Sequence, residues 1–200
     1  MTLRKTEQET TIEDLEVIQE VLAGDRNAYA HLVRKYQERV RRHCWMMLGS
    51  ADPADDAAQE VFIKVYESLG KFQKNSSFST WIYRVTANHC TDILRKRTRQ
   101  KTESWDALLE SGGEQVEKLF SSSGPDPLSF ATTELLAKFL SFLPEESRTV
   151  LLLREVEGLS YQEIAETLQC TEDAVKARLK RARRELEEKA RHFLRERASN

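Results

Sequence analysis

Two hundred residues fit one domain or two small ones, at about 100–200 residues per domain, and exclude a large multidomain enzyme. Seven glycines and four prolines are half the usual share or less, and 32% of residues are charged, which excludes a turn-rich β-sandwich and favours helix. The net charge of −2 gives no global hint of nucleic-acid binding, yet it hides a partition: Arg95–Lys101 holds five basic residues and no acid, Thr102–Ser147 nine acids and two lysines, and Ala174–Arg184 six basic residues and no acid. Phosphate binding depends on local Lys/Arg density, so the two cationic stripes matter more than the sum.

In chain order, the polar opening Met1–Thr11 lacks the apolar core of a signal peptide, and the longest aliphatic run, Val150–Leu153, is far too short for a membrane span. Cys44, Cys90 and Cys170 stand apart with no C-x-x-C pair, as reduced thiols do. A cytoplasmic, all-α protein is expected. Helical periodicity covers residues 12–98, with breaks near Gly24, Gly49-Ser50 and Gly70–Ser77. Asp52-Pro53-Ala54-Asp55 predicts a helix start with Asp52 at the N-cap and Pro53 at N1. The inward stripe of this helix is Ala58, Val61, Phe62, Val65 and Leu69. Its opposite face carries Asp56, Gln59, Glu60, Ile63 and Glu67. First-turn acids serve as helix-dipole partners, so no metal site is expected there. An exposed isoleucine ringed by acids and an amide is how a protein-docking patch looks.

A polar loop, Lys71–Phe78, then leads into a helix from Ser79 to Arg97. One side is apolar. The other repeats Arg84, Asn88 and Asp92 at spacing four, with Trp81 and Arg95 close to the same line. Aromatic rings beside amide and basic side chains suit an unstacked base, through stacking and edge hydrogen bonds. The dipeptides His43-Cys44 and His89-Cys90 chelate poorly alone, because adjacent helical residues point about 100° apart; buried thiols beside partly exposed imidazoles are expected.

Residues 99–131 are acidic, with Gly112-Gly113 and Ser121–Pro127, and predict a flexible linker. It separates two small helical domains, 12–98 and 132–197, leaving both free to move with their functional faces exposed. In the second domain Ser160-Tyr161-Gln162-Glu163 is a capping box. A short helix follows, then a turn at Gln169-Cys170, then a helix capped by Thr171 with Val175, Leu179, Ala182 and Leu186 inward. Its outer side carries Asp173, Ala177, Lys180, Arg181 and Arg184, flanked by Lys176 and Arg183. A short helix, a tight turn and a basic second helix make a helix-turn-helix at about 160–184, aimed at a DNA major groove. No nucleophile elbow, phosphate loop or paired general acid and base is present, so no enzymatic activity, cofactor or metal is expected.

Gly24-Asp25-Arg26-Asn27-Ala28-Tyr29, Asp56-Ala57-Ala58-Gln59-Glu60-Val61-Phe62, Phe78–Val85 with Asn88 and Asp92, and Leu143-Pro144 with Gly158–Ala165 occur in the order and spacing of a known group. The chain resembles the extracytoplasmic-function (group IV) sigma factors, which carry only sigma regions 2 and 4. The resemblance implies that Asp56, Gln59, Glu60 and Ile63 dock on the β′ clamp helices of core RNA polymerase. It implies that Phe72, Lys74, Asn75, Phe78, Trp81, Arg84, Asn88, Arg95 and Lys96 read and open the promoter −10 element. Thr171, Lys176, Ala177, Arg178, Lys180, Arg181 and Arg184 would read the −35 element as duplex. Implied partners are core polymerase (β′ clamp helices and β flap), promoter DNA and a membrane-anchored anti-sigma factor. The alternative is a helix-turn-helix regulator that binds duplex DNA alone as a dimer; it has no need of the Trp81–Asn88 region.

Overall fold

A computed structural model describes residues 3–73, 76–102 and 130–198. Most of the predicted linker, and Lys74 and Asn75 of the predicted DNA-reading loop, lie outside the described residues. The described chain is helical throughout, with no strand among the described residues.

Helix α1 (Leu3–Leu22) ends before Gly24, whose φ of +111° is a left-handed conformation that glycine adopts without strain. The Asp25 carboxylate then accepts the Asn27 and Ala28 amides and starts the short 3₁₀ turn Arg26–Ala28, which gives Gly24–Ala28 a structural reason. Helix α2 (Tyr29–Leu48) is the central element. Its stripe Leu32, Tyr36 and Val40 meets Ala54, Ala58, Val61 and Val65 of α3 (Ala51–Ser68) and Phe78, Ile82 and Ala87 of α4 (Phe78–Thr102), all buried. Each fully buried valine or leucine here stabilises by about 1.5–3 kcal/mol. Tyr36 donates its hydroxyl to buried Asp14 at 2.6 Å, and Lys35 pairs with the other oxygen at 2.6 Å, so the α1 carboxylate is satisfied.

Helix α3 begins two residues before the expected position. Ser50 is its N-cap, without a side-chain bond, and Asp52 and Pro53 fall inside the first turn. Proline loses nothing there, because first-turn amides have no intrahelical partner. The inward stripe matches the sequence pattern, and Asp56, Gln59, Glu60, Ile63 and Glu67 are exposed.

The C-terminal half consists of α5 (Phe130–Ser141), α6 (Glu145–Leu151), a π turn (Leu152–Val156), α7 (Tyr161–Leu168) and α8 (Glu172–Ala198). The capping box forms in full: the Glu163 amide donates to Ser160 Oγ at 3.2 Å, and the Ser160 amide to Glu163 Oε2 at 2.8 Å. Thr171 Oγ1 accepts the Ala174 amide at 3.2 Å, and Val175, Leu179 and Ala182 are buried as the periodicity predicts. The Ser160 cap is expected to be worth about 1 kcal/mol. Ser160→Ala should therefore lower the melting temperature by roughly 2–4 °C in thermal unfolding followed by circular dichroism.

The two helical domains expected from the sequence are both present. The two halves pack together over one continuous buried core. Helix α5 lies along the second half of α2, where Cys44 to Leu48 are all buried, and Arg148 of α6 is inserted beside it. Its guanidinium donates to the carbonyls of Met47, Ser141 (3.0 Å) and Leu143 (3.2 Å), so a region distant in sequence caps the end of α2.

Candidate functional site

The outer face of α3 presents Ile63 at 58% exposure among exposed Asp56, Gln59 and Glu60. Glu60 also reaches α4: its carboxylate stands 3.2 Å from Nε2 of buried His89, close enough for an ion pair but without hydrogen-bond alignment. Burial, followed by the charge of Lys64, lowers the His89 pKa against the opposing pull of Glu60. The imidazole is therefore neutral at pH 7 and the contact weak.

The loop before α4 closes on an aromatic cluster. Phe78 lies 5.4 Å from Tyr36, 5.7 Å from Phe72 and 5.6 Å from Trp81 between ring centroids. It is fully buried, and its ring supports Phe72 and Trp81, both half-buried. Arg84, Asn88, Asp92 and Arg95 follow along α4, and Asn88, Arg95 and Lys96 are exposed. Asn88, Asp92 and Arg95 line one wall of a cleft of about 410 Å³ whose other wall includes Glu145, Glu146 and Arg178.

The α4 face does not stand free. Thr80 donates its hydroxyl to Glu163 of α7 at 2.7 Å, Arg84 pairs with Glu166 at 3.8 Å, and Arg95 Nε donates to Glu145 at 2.9 Å. Burial alone would raise the Glu163 carboxyl pKa, but hydrogen bonds from Thr80 and Ser160 outweigh it and hold the group below its ordinary value. Carboxylates of α6 and α7 thus pair with Thr80, Arg84 and Arg95 along α4. The capping-box motif disclosed Glu163 as a cap, but nothing local in the sequence disclosed its second partner.

Helix α8 presents Lys176, Ala177, Lys180, Arg181 and Arg184 to solvent opposite its buried stripe, and Thr171 is exposed at its start. Arg178 departs from that set. It turns toward α6, 3.8 Å from Glu146, and borders the cleft. Because it lies about 100° from the reading line, its side chain follows the nearest carboxylate. The helix also continues well past Arg184, to Ala198.

His43 and His89 are both buried, contrary to the expected partly exposed imidazoles, because α5 and the segment after the π turn cover one and α3 the other. Cys44 and Cys90 hydrogen-bond to each other in the core, which together with burial pushes the Cys90 thiol well up and leaves it unreactive. No group of three potential metal ligands occurs among the described residues. No described helix is long and apolar enough to cross a membrane.

A helix-turn-helix with a basic outer face, packed against a helical body that carries a separate aromatic and amide reading surface, defines a DNA-reading protein of two parts. Residues 32–100 match the family described as Sigma-70 region 2, and residues 133–186 the one described as Sigma-70, region 4. The chain belongs to the sigma-70 family, as a sigma factor of the extracytoplasmic-function type that directs promoter-specific transcription initiation. It is 35% identical over 191 residues to the RNA polymerase sigma-H factor of Pseudomonas aeruginosa, covering 94% of this chain and 98% of the relative. It is 32% identical to the ECF RNA polymerase sigma-E factor of Escherichia coli, covering 91% and 96%. Two solved structures share the fold at a TM-score of 0.63: CnrH in complex with the cytosolic domain of CnrY (21% identity, 88% of this chain and 95% of that one), and the sigma factor RpoE in complex with the anti-sigma factor NepR from Bartonella quintana (22%, 82% and 96%). Membership sets aside the stand-alone dimeric regulator.

Proposed function

We propose that the work of the chain is divided among three faces and that none performs catalysis. Region 2, over 12–98, holds core polymerase through Asp56, Gln59, Glu60 and Ile63, and reads the −10 element along α4 with Trp81, Arg84, Asn88, Arg95 and Lys96. Phe72, Lys74 and Asn75 are assigned to the same task. Region 4, over 132–197, reads the −35 element with Thr171, Lys176, Ala177, Lys180, Arg181 and Arg184, engages the β flap, and keeps Arg178 for the inner side. The carrying observation is the sidedness of α8, where Val175, Leu179 and Ala182 are buried and the opposite face is a row of exposed cations. The chain acts in the cytoplasm, and an anti-sigma factor holds it inactive. The similarity to RpoE, solved with its anti-sigma factor, supports a partner of that class.

The core-docking face supplies the test. Replacing Gln59 and Ile63 together with alanine is expected to weaken association with core polymerase by about 1–3 kcal/mol. Helicity should stay unchanged, since both side chains are exposed. Fluorescence titration of core polymerase with labelled chain, together with transcription from a promoter panel, reads both effects. Wild-type affinity in the double variant removes α3 as the docking face.

A further inference from the structure

Glu157 has a side chain only 2% exposed, although it sits at the surface end of a helix in a different half of the molecule from its partner. Its Oε1 lies 3.0 Å from Nδ1 of His43, which is fully buried. The His43 ring is stacked 6.3 Å from the ring of buried Tyr83, and Arg39 adds its charge beside the Tyr83 phenol. The phenol pKa is raised, first by burial and then by the Glu157 charge. His43 and Tyr83 both belong to region 2, so they form a carboxylate-binding notch on one half of the chain, filled by the other.

The backbone that delivers Glu157 is unusual. The π turn Leu152–Val156 adds a residue to the end of α6, and the Glu157 amide donates to the Leu152 carbonyl at 3.0 Å. Gly158 follows with φ +73°, which lets the Leu159 amide close back on the Leu153 carbonyl at 3.0 Å. Single π turns inside α-helices concentrate at functional positions, because they re-aim one side chain. Here the re-aimed side chain is Glu157.

We propose that Glu157 is an intramolecular ligand of region 2: seated in the His43–Tyr83 notch, it holds region 4 closed over the α4 reading face, so that the free chain cannot take up single-stranded −10 DNA. Two features fit a latch rather than a permanent strut. A buried polar contact of this kind contributes little net stability, since desolvation offsets the attraction, yet it fixes one geometry. The remaining contacts across the closed face, Thr80–Glu163, Arg84–Glu166 and Arg95–Glu145, offer carboxylate oxygens to groups that would otherwise bind phosphate and bases. Closure and DNA therefore compete for the same side chains. The proposal rests on α4 being the −10 reading helix.

The test uses the full chain without polymerase. Glu157→Ala and, from the other side of the contact, His43→Asn are compared with wild type by small-angle scattering and by binding of a labelled non-template −10 single strand. Circular dichroism identifies any variant that has lost its helices, and Glu157→Gln replaces it in that case. Both variants are expected to expand the chain and to bind the single strand about tenfold more tightly, as when the competent fraction rises from roughly a tenth toward one. A variant that stays compact overturns the latch. A variant that expands without gaining DNA overturns the assignment of α4 as the −10 reader.

Discussion

Replacing Arg148 with alanine is expected to lower the unfolding free energy by about 2–4 kcal/mol, the largest effect of any single side-chain deletion considered for this chain. Arg148 is 6% exposed, and three carbonyls from two chain segments, the end of α2 and the α5–α6 corner, converge on its guanidinium, the two from the corner at 3.0 and 3.2 Å. Alanine leaves all three acceptors in a dry environment and opens a cavity the length of an arginine. Burial pulls the Arg148 pKa below its ordinary value, against the charge of Glu145, yet an arginine stays protonated throughout the accessible range. The loss should therefore be nearly the same from pH 5 to pH 9. In urea unfolding the midpoint should fall with little change of slope, and the melting temperature should drop by roughly 5–15 °C. Arg148→Lys should recover little of it, because an ammonium cannot fork to carbonyls on different segments. A loss under 1 kcal/mol in the alanine variant would mean that water replaces the guanidinium, and that the end of α2 is not held in this way.

The second large effect concerns salt. Removing Lys176, Lys180, Arg181 and Arg184 together is expected to make the dependence of log affinity on log salt shallower by about 3–4, at about 0.9 per lost phosphate contact. The measurement is a salt titration of duplex −35 DNA binding, made with holoenzyme. Helix α8 should remain folded, since its buried stripe is untouched. Asn88→Ala should leave this duplex slope as in wild type and instead slow strand opening, seen as reduced permanganate reactivity on duplex templates and near-normal reactivity on pre-melted ones. If the slope is unchanged in the four-residue variant, those cations do not meet phosphates and the −35 assignment of α8 falls.

Much of this arrangement was legible in the chain because it is local. The Ser160–Glu163 capping box, the Val175–Ala182 stripe and the sidedness of α3 each depend on residues within a few turns of one another, and each forms as the spacing dictates. Phe78 is a different case. An aromatic at a loop–helix junction is compatible with stacking on a base or on neighbouring rings, and only the positions of Tyr36 and Phe72 decide between them. Closure of the two halves was the least legible feature, because periodicity shows that a face is apolar and not what covers it. The trace it left is the run His43-Cys44-Trp45-Met46-Met47-Leu48, buried on every side of α2. A helix segment with no polar face needs a second covering layer, and α5 with α6 supplies it. Arg148, set against the Val150–Leu153 run, was a related sign: an arginine this deep has to find acceptors.

The Arg148–Met47 contact also sets a timetable for synthesis. The two residues are 101 positions apart, so at about 5–20 residues per second the ribosome needs roughly 5–20 s to make the second after the first. For the same span, between their emergence from the tunnel and that of Arg148, Trp45, Met46 and their neighbours lack the layer that covers them. The nascent chain therefore spends seconds with an apolar helix end uncovered, and is most prone to aggregate when translation stalls within residues 103–129, just ahead of the covering helices.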